Sequence, residues 1–544
     1  MSLSQTLRWL VLSTAFAPLA CSSGSPSSAQ SGAQDLTGVN SAARGIHFQS
    51  YVYVPVTASN ADIQTAIARQ VKTAIGALRD PEVSLNDRDA QHNLDPSKWQ
   101  RQTLTVVDPA NTGTPAEVVR VTYPYDDVAV VIDSLQSSSA VAFTMLADDY
   151  GQHASPLIQS CSDDTTTDTD SLWYHYTPTM ASCQALIQGE LTAIQTEQQG
   201  LGGDVTKVGV HEAGRWFMPV TAKLDPPMFA SHDYSPEYDR LYGVGTNKSE
   251  LIVYAFFGVN ADETDPDDIL GQEAIKFLRT MLAAAPSFRP VATNPSAMLE
   301  DIFVNGQKVT NVTYGAMFSW ILDKAGYPAE VGQDPAAIQA LRRQAMAKFT
   351  ERWIYWDLPV TVTDANGNVK KVTIEVRTYY GYEDGSPDAR QHAEWRYLEA
   401  FWYGDVFLYN GHSHFGHGPL EPFLYGPQNF NANYQIMLVD SCISYNYYHE
   451  DFLAMKPGGS KNLDMVLNGL PAYVQDMGIA TARFLTSLID GRQHTYVDLL
   501  KAMELNEPWD PSYDPMRVVD GELDNVFSQT ATPLTVSVLP PVYP

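Results

Sequence analysis

The side chains best suited to chemistry in this chain fall in two short clusters. His412, His414 and His417 follow the apolar run Val406–Tyr409, and Asp440, Ser441 and Cys442 follow the apolar run Ile436–Val439. A cysteine attacks as its thiolate, and a neighbouring imidazole both lowers the thiol pKa and later protonates a leaving group. Backbone N–H groups beside such a nucleophile can bind an oxyanion. Short runs rich in Val, Ile, Leu and aromatics predict buried strands. In open α/β sheets, reactive groups gather at the carboxyl ends of the strands. The connector Asn410–Asn433 is longer than the roughly dozen residues a parallel crossover requires. The two clusters are therefore expected side by side at one sheet edge.

As they stand, Tyr409-Asn410-Gly411-His412 and Val439-Asp440-Ser441-Cys442-Ile443-Ser444 resemble the strand ends of the caspase-like cysteine peptidases, which include caspases, metacaspases, gingipains, clostripain and legumain. The resemblance implies an α/β fold with a caspase-like, mostly parallel sheet flanked by helices. It implies a peptide or protein substrate and no cofactor. By position, His412 matches the general acid/base and Cys442 the nucleophile. Asp440 matches an aspartate that receives a basic P1 side chain. The N–H groups of Cys442 and Ser413 match the oxyanion hole. Ser413 stands where the family usually has Gly, and Ile443 and Tyr445 replace its His and Gly.

Two other readings stay open. His412, His414 and His417 lie close enough in sequence to chelate Zn²⁺, and HSHFGH resembles the histidine motif of metallo-β-lactamase-fold hydrolases, although Gly416 stands where that motif has Asp. The third reading is a binding protein that keeps the peptidase fold without turnover.

The surrounding elements must position these clusters. With 544 residues the chain exceeds one compact core, so at least two domains are expected. Asp and Glu number 63 against 34 Lys and Arg, a net charge of −29 that disfavours nucleic-acid binding. Residues 1–21 read as a signal peptide: Arg8 precedes the short apolar run Trp9–Ala17, and Ala20-Cys21 resembles a bacterial lipoprotein signal with Cys21 as the lipidated residue. An ordinary secretory signal is the alternative. Either way the chain is expected to be exported; lipidation would tie it to a membrane of the cell envelope. Residues 22–44 are small and polar, as in a flexible tether. In an oxidising compartment Cys161 and Cys183 are a natural disulfide pair, leaving Cys442 as a lone thiol.

Residues 45–203 read as a smaller α+β accessory domain and 204–544 as the caspase-like α/β domain. Strands are expected at Phe48–Val56, Leu104–Val107, Val118–Tyr123 and Val128–Ile132, with a helix over about Ser182–Gln199. Trp173-Tyr174-His175-Tyr176 reads as core or strand, and His47, His92, His153 and His175 as scattered structural or surface histidines. Further on, Leu251–Phe257 predicts a strand covered on both faces, followed by an acidic loop and a helix over Ile269–Ala284. Helices are expected at Tyr314–Ala325, Pro335–Trp356 and Pro387–Trp402. Asn366-Gly367 signals a hairpin, read as an insertion or sheet edge. Beyond Cys442, Asp464–Leu467 predicts a strand, and helices follow at Gly478–Ile489 and Tyr496–Glu504.

Overall fold

The computed structural model describes residues 36–539, apart from 88–93, 109–114, 163, 229–232, 260–268, 291–299, 305, 323–325, 330, 350–351, 383–386, 473–476 and 505–513. The signal segment with Cys21, residues 22–35 of the tether, His92 and the acidic loop after Gly258 lie outside the described residues. Among the described residues no helix is long and apolar enough to cross a membrane.

The described residues begin at Leu36, inside the stretch expected to be tether. The first strand, β1 (Thr37–Gly38), is followed by β2 (Ser41–Pro55), α1 (Asn60–Lys72), α2 (Ala74–Arg79), β3 (Val83–Leu85), β4 (Gln100–Val107), β5 (Glu117–Ile132) and β6 (Ala140–Leu146). Then come α3 (Ala154–Cys161), α4 (Leu172–His175), α5 (Ala181–Gly200), β7 (Lys207–Gly209), α6 (Val210–Ala213) and β8 (Phe217–Leu224). Ser59 caps α1 in a capping box with Asp62, which satisfies free N–H groups of the first turn. The sheet runs β6-β8-β2-β5-β4-β7, with β3 also on β5. Two expected strands are one: β5 continues through Pro124. It can, because Pro124 lies between the segments of β5 paired with β4 and with β3, where β5 has a partner on one side only. Because β7 and β8 belong to this sheet, the unit reaches past residue 203, and the expected boundary moves to about Met228, which bridges to Ala43.

The second unit begins with α7 (Tyr238–Leu241), β9 (Glu250–Val259), α8 (Ile269–Ala284), β10 (Arg289–Pro290), β11 (Glu300–Val304), β12 (Gln307–Val312), α9 (Tyr314–Ile321) and α10 (Pro335–Ala347). It continues with β13 (Arg352–Thr363), β14 (Val369–Tyr382), α11 (Pro387–Tyr403), β15 (Val406–Asn410), β16 (Gln435–Asp440), α12 (Ser444–Met455) and β17 (Leu463–Asn468). Last come α13 (Met477–Leu488), α14 (Tyr496–Glu504), β18 (Arg517–Asp520) and β19 (Thr535–Val538). The helix expected to reach Trp356 stops at Ala347, because Arg352–Trp356 pair with β14 instead.

This sheet runs β1-β18-β17-β16-β15-β9-β14-β13-β10, with β19 on β13. The hairpin β13/β14 is neither an insertion nor an edge at β14, which pairs in parallel with β9. Strands β14, β9, β15, β16 and β17 are parallel. Numbered along the chain they stand in the order 2-1-3-4-5, a doubly wound arrangement whose order reverses between β9 and β15. Every residue of β15, β16 and β17 is buried, as expected for strands covered on both faces.

The pleat divides these strands between two cores. Val253, Ala255, Leu408, Ile436 and Leu438 face α8, α9, α13 and α14. Tyr254, Phe256, Phe407, Tyr409, Met437 and Val439 face α11 and α12, and that core runs on without a break into the first sheet through residues such as Val130, Tyr174 and Phe143. The two units share one apolar interior. Polar contacts tie them as well: Asn446 on α12 donates to the Leu85 carbonyl at 2.7 Å, and Asn86 to Glu450 at 2.7 Å.

Candidate active site

Strands β15 and β16 are adjacent and parallel, and Asn410 is the register partner of Asp440. His412 and Cys442 each stand two residues beyond that pair, at the carboxyl ends where such sheets place ligands. Both line one cavity of about 430 Å³, within the range of small-molecule and peptide sites. The His412–Phe415 loop forms one wall, Pro471 and Ala472 a second, and Arg79, Asp164, Tyr174 and His175 a third. The last four belong to the first unit. A region expected to be an accessory therefore supplies one side of the site.

The loops that follow β15 and β16 are locally strained. Ile443 follows Cys442 with φ 49° and ψ 36° and leads directly into α12. A β-branched residue in the left-handed region costs on the order of 1–3 kcal/mol and persists only where its surroundings impose it. Here they do: Ser444 Oγ donates to the Val439 carbonyl at 2.7 Å and accepts from the Asn468 N–H at 2.8 Å, while the Ile443 N–H donates to Leu470 O. The turn sets Cys442 at the amino end of a twelve-residue helix. Across the cleft His414, Phe415 and Gly416 take φ values of 47°, 57° and 81° in succession. Phe415 is held by ring contacts with Trp173, Tyr174 and His175, with centroids 5.6, 5.0 and 6.1 Å away. The Tyr409 hydroxyl donates to the His412 carbonyl at 2.8 Å, and Tyr448 to the Ser413 carbonyl at 3.1 Å.

Cys442 is a free cysteine, and Cys161 and Cys183 form a disulfide. The thiol keeps part of its surface in the cleft and donates to the Ala472 carbonyl at 3.5 Å. Burial pushes its pKa up, so the thiol rests neutral rather than as the preformed thiolate expected beside an imidazole. Among the described residues, no other residue accepts from the backbone N–H of Ser413 or of Cys442.

Asp440 departs from its expected role. Its carboxylate does not line the cleft; it is fully buried, accepts from Asn468 Nδ2 at 2.8 Å and Thr481 Oγ1 at 3.4 Å, and lies 3.9 Å from Arg517. Burial still raises its pKa. A side chain spent in this way braces the strand ends and has no free face for a P1 lysine or arginine. Ser413 lines the cleft and is almost wholly buried. The zinc arrangement is also not formed. His412 and His414 lie near one another, with ring centroids 5.5 Å apart, but His417 turns outward to Glu421 at 3.1 Å. Among the described residues no three His, Cys, Asp or Glu side chains are grouped to hold a metal ion.

Tyr174 and His175 read as core from sequence, and no motif includes Arg79 or Asp164. No local signal marks these four, since their part in the site depends on how two sheets pack. The disulfide is the one hint, because it closes the loop that carries Asp164, Tyr174 and His175. No family model matches the chain, and neither a curated protein nor a solved structure is detectably similar to it.

Proposed function

We propose that this chain is a caspase-like, thiol-dependent peptide hydrolase, with Cys442 as nucleophile and His412 as acid/base. The observation that carries the reading is the paired placement: two side chains, each two residues past a register pair, in one cavity at the carboxyl edge of a parallel sheet. The strained turn at Ile443 and the helix start behind it support it, since such strain collects at functional sites. In the reaction the Cys442 sulfur bonds to the scissile carbonyl carbon as its proton passes to His412. The N–H groups of Ser413 and Cys442 receive the oxyanion. The C–N bond then breaks, His412 returns the proton to the leaving amine, and water releases the acid from the thioester by the same proton route.

The neutral resting thiol favours the second reading, a binding protein of the same fold. Hydrolysis of unstructured protein substrates, with wild type, Cys442→Ala and His412→Ala compared, separates the two. The hydrolase reading expects turnover that both substitutions remove; turnover surviving Cys442→Ala overturns it, and a folded protein with no turnover on a broad peptide library leaves the binding reading.

The proposal extends to export and lipid anchoring through Cys21, which a disulfide-bonded loop suits. Metabolic labelling with a radiolabelled fatty acid should mark the wild type and not Cys21→Ser.

A further inference from the structure

We propose that the aromatic surface at Trp402, Tyr403, Phe423 and Leu424 rests on a lipid bilayer, so that the cleft at the opposite sheet edge opens away from the membrane. This rests on the lipid-anchor reading of Cys21 and adds the face that the anchor brings to the bilayer.

Trp402 and Tyr403 close α11 just before β15, at the amino edge of the sheet, and are 45% and 60% exposed. Phe423 and Leu424, in a single turn of the connector, are 72% and 40% exposed. The two pairs flank one buried contact, because Phe401 meets Tyr425 with ring centroids 5.0 Å apart. Large apolar side chains exposed side by side mark a surface that something covers. Tryptophan and tyrosine suit the headgroup region of a bilayer, where an apolar ring and a polar tip are both satisfied. The acidic side chains nearest in sequence are each paired: Glu399 with Arg377 at 2.9 Å, Asp405 with Lys248 at 2.5 Å and Glu421 with His417 at 3.1 Å. With a net charge of −29 the chain is repelled by anionic lipid, so the surface it fits is zwitterionic. The course of the chain before β1 selects a membrane over a second protein. Thr37 stands level with Val519, Val466, Leu438 and Leu408 across the sheet, and β1 runs parallel to β15. The chain preceding Thr37 therefore enters from the amino edge, the edge of Trp402 and Tyr403. Only four strand spacings, about 20 Å, separate β1 from β15. The 15 residue steps from Cys21 to Leu36 span up to about 50 Å, enough for an anchored chain to lay this face on the lipid.

The test places the intact chain on phosphatidylcholine vesicles that carry a photoreactive diazirine near the headgroup, with flotation to separate bound protein and mass spectrometry to map the adducts. Adducts should fall on the peptides holding Trp402–Tyr403 and Phe423–Leu424, and not on those holding His412–Phe415 or Cys442. Trp402→Ser combined with Tyr403→Ser should lower the yield at Phe423–Leu424 by about tenfold, as expected when two large apolar side chains leave the lipid. Should that variant fail to fold, Phe423→Ser combined with Leu424→Ser carries the same test, read at Trp402–Tyr403. Adducts at the cleft peptides, or none at the aromatic ones, overturn the proposal. So does a dimer, seen by light scattering without vesicles, that the serine variant breaks, since the face then belongs to a second copy. The intact mass separates this inference from the anchor reading. A chain without lipid on Cys21 that still floats, with adducts on the aromatic face, keeps the inference and loses the anchor; a lipidated chain with adducts elsewhere does the reverse.

Discussion

The two ends of the parallel strands are built to opposite specifications. At the amino ends, polar side chains are buried in hydrogen-bonded clusters. Asp464 in β17 accepts from Tyr434, from Tyr496 at 2.6 Å and from Asn525 at 2.6 Å, while Asp405 before β15 pairs with Lys248 at 2.5 Å and accepts from the Ile252 N–H at 2.8 Å. At the carboxyl ends, the backbone is strained at Ile443, His414 and Phe415, and the groups between are left facing a cavity. Among the described residues only six non-glycine positions have positive φ, and half of them flank that cavity. One edge therefore holds the sheet together, and the other stores the geometry of a site. Substitutions at the first should change stability alone, and those at the second activity alone.

The largest test of that division is at the carboxyl edge. Cys442→Ala should reduce hydrolysis to background, and His412→Ala should lower kcat/KM by about 10²–10⁴-fold, with melting temperatures within about 2 °C of wild type. A collapse of the fold in either variant would break the comparison. At the amino edge, Asp464→Ala leaves three buried donors without their acceptor. Its stability should fall by about 3 kcal/mol, read as a lower urea midpoint, while kcat/KM at low temperature stays as it was.

The pH profile sharpens the same contrast. Burial pushes Asp464 up to about 7, so the folded chain holds a proton that the unfolded chain has lost above about pH 4. Stability then falls as pH rises from about 4 to 7 and levels off beyond. Asp127 in β5, also raised to about 7 by burial, acts in the same direction. Thermal melts from pH 4.5 to 8 should show that decline, and Asp464→Asn should remove part of its slope. Equal slopes in the two proteins would mean that Asp464 is ionised in the fold.

The smallest effect is expected at Asp440, which joins the two regimes. Asp440→Asn keeps the oxygen that accepts from Asn468 and turns the other into an amide N–H that can donate to the Thr481 hydroxyl, so it should cost about 1 kcal/mol and leave any preference between P1 Arg or Lys and other residues unchanged. A selective loss of cleavage after basic residues would restore the role that its buried position removes.

How far the sequence can be read follows from the range of the forces involved. Helices Ile269–Ala284 and Tyr496–Glu504 fall where they are expected, because the signals for a helix are local. Strands β15 and β16 are legible because burial on both faces makes them continuously apolar. Their ends bring His412, Ser413 and Cys442 into view together. The role of Asp440 is not legible, because nothing nearby in sequence announces Asn468, Thr481 and Arg517, which reach it from later elements. Leu36 to Arg44 looks like tether because its order depends on distant partners: β1 pairs with β18, and the Thr37 N–H donates to Glu522 at 3.0 Å. Tyr174 belongs with these, as a residue whose role exists only once both sheets are assembled.

The Cys161–Cys183 bond bears on how the molecule must be made. It is buried in the shared core rather than in the strand ladders, and the covering wall of the cleft hangs on the loop that it closes. Chain synthesised in a reducing cytoplasm would carry a cleft without its pin. Inactivity in such a preparation would reflect its oxidation history, and air or glutathione treatment should come before the thiol is assayed.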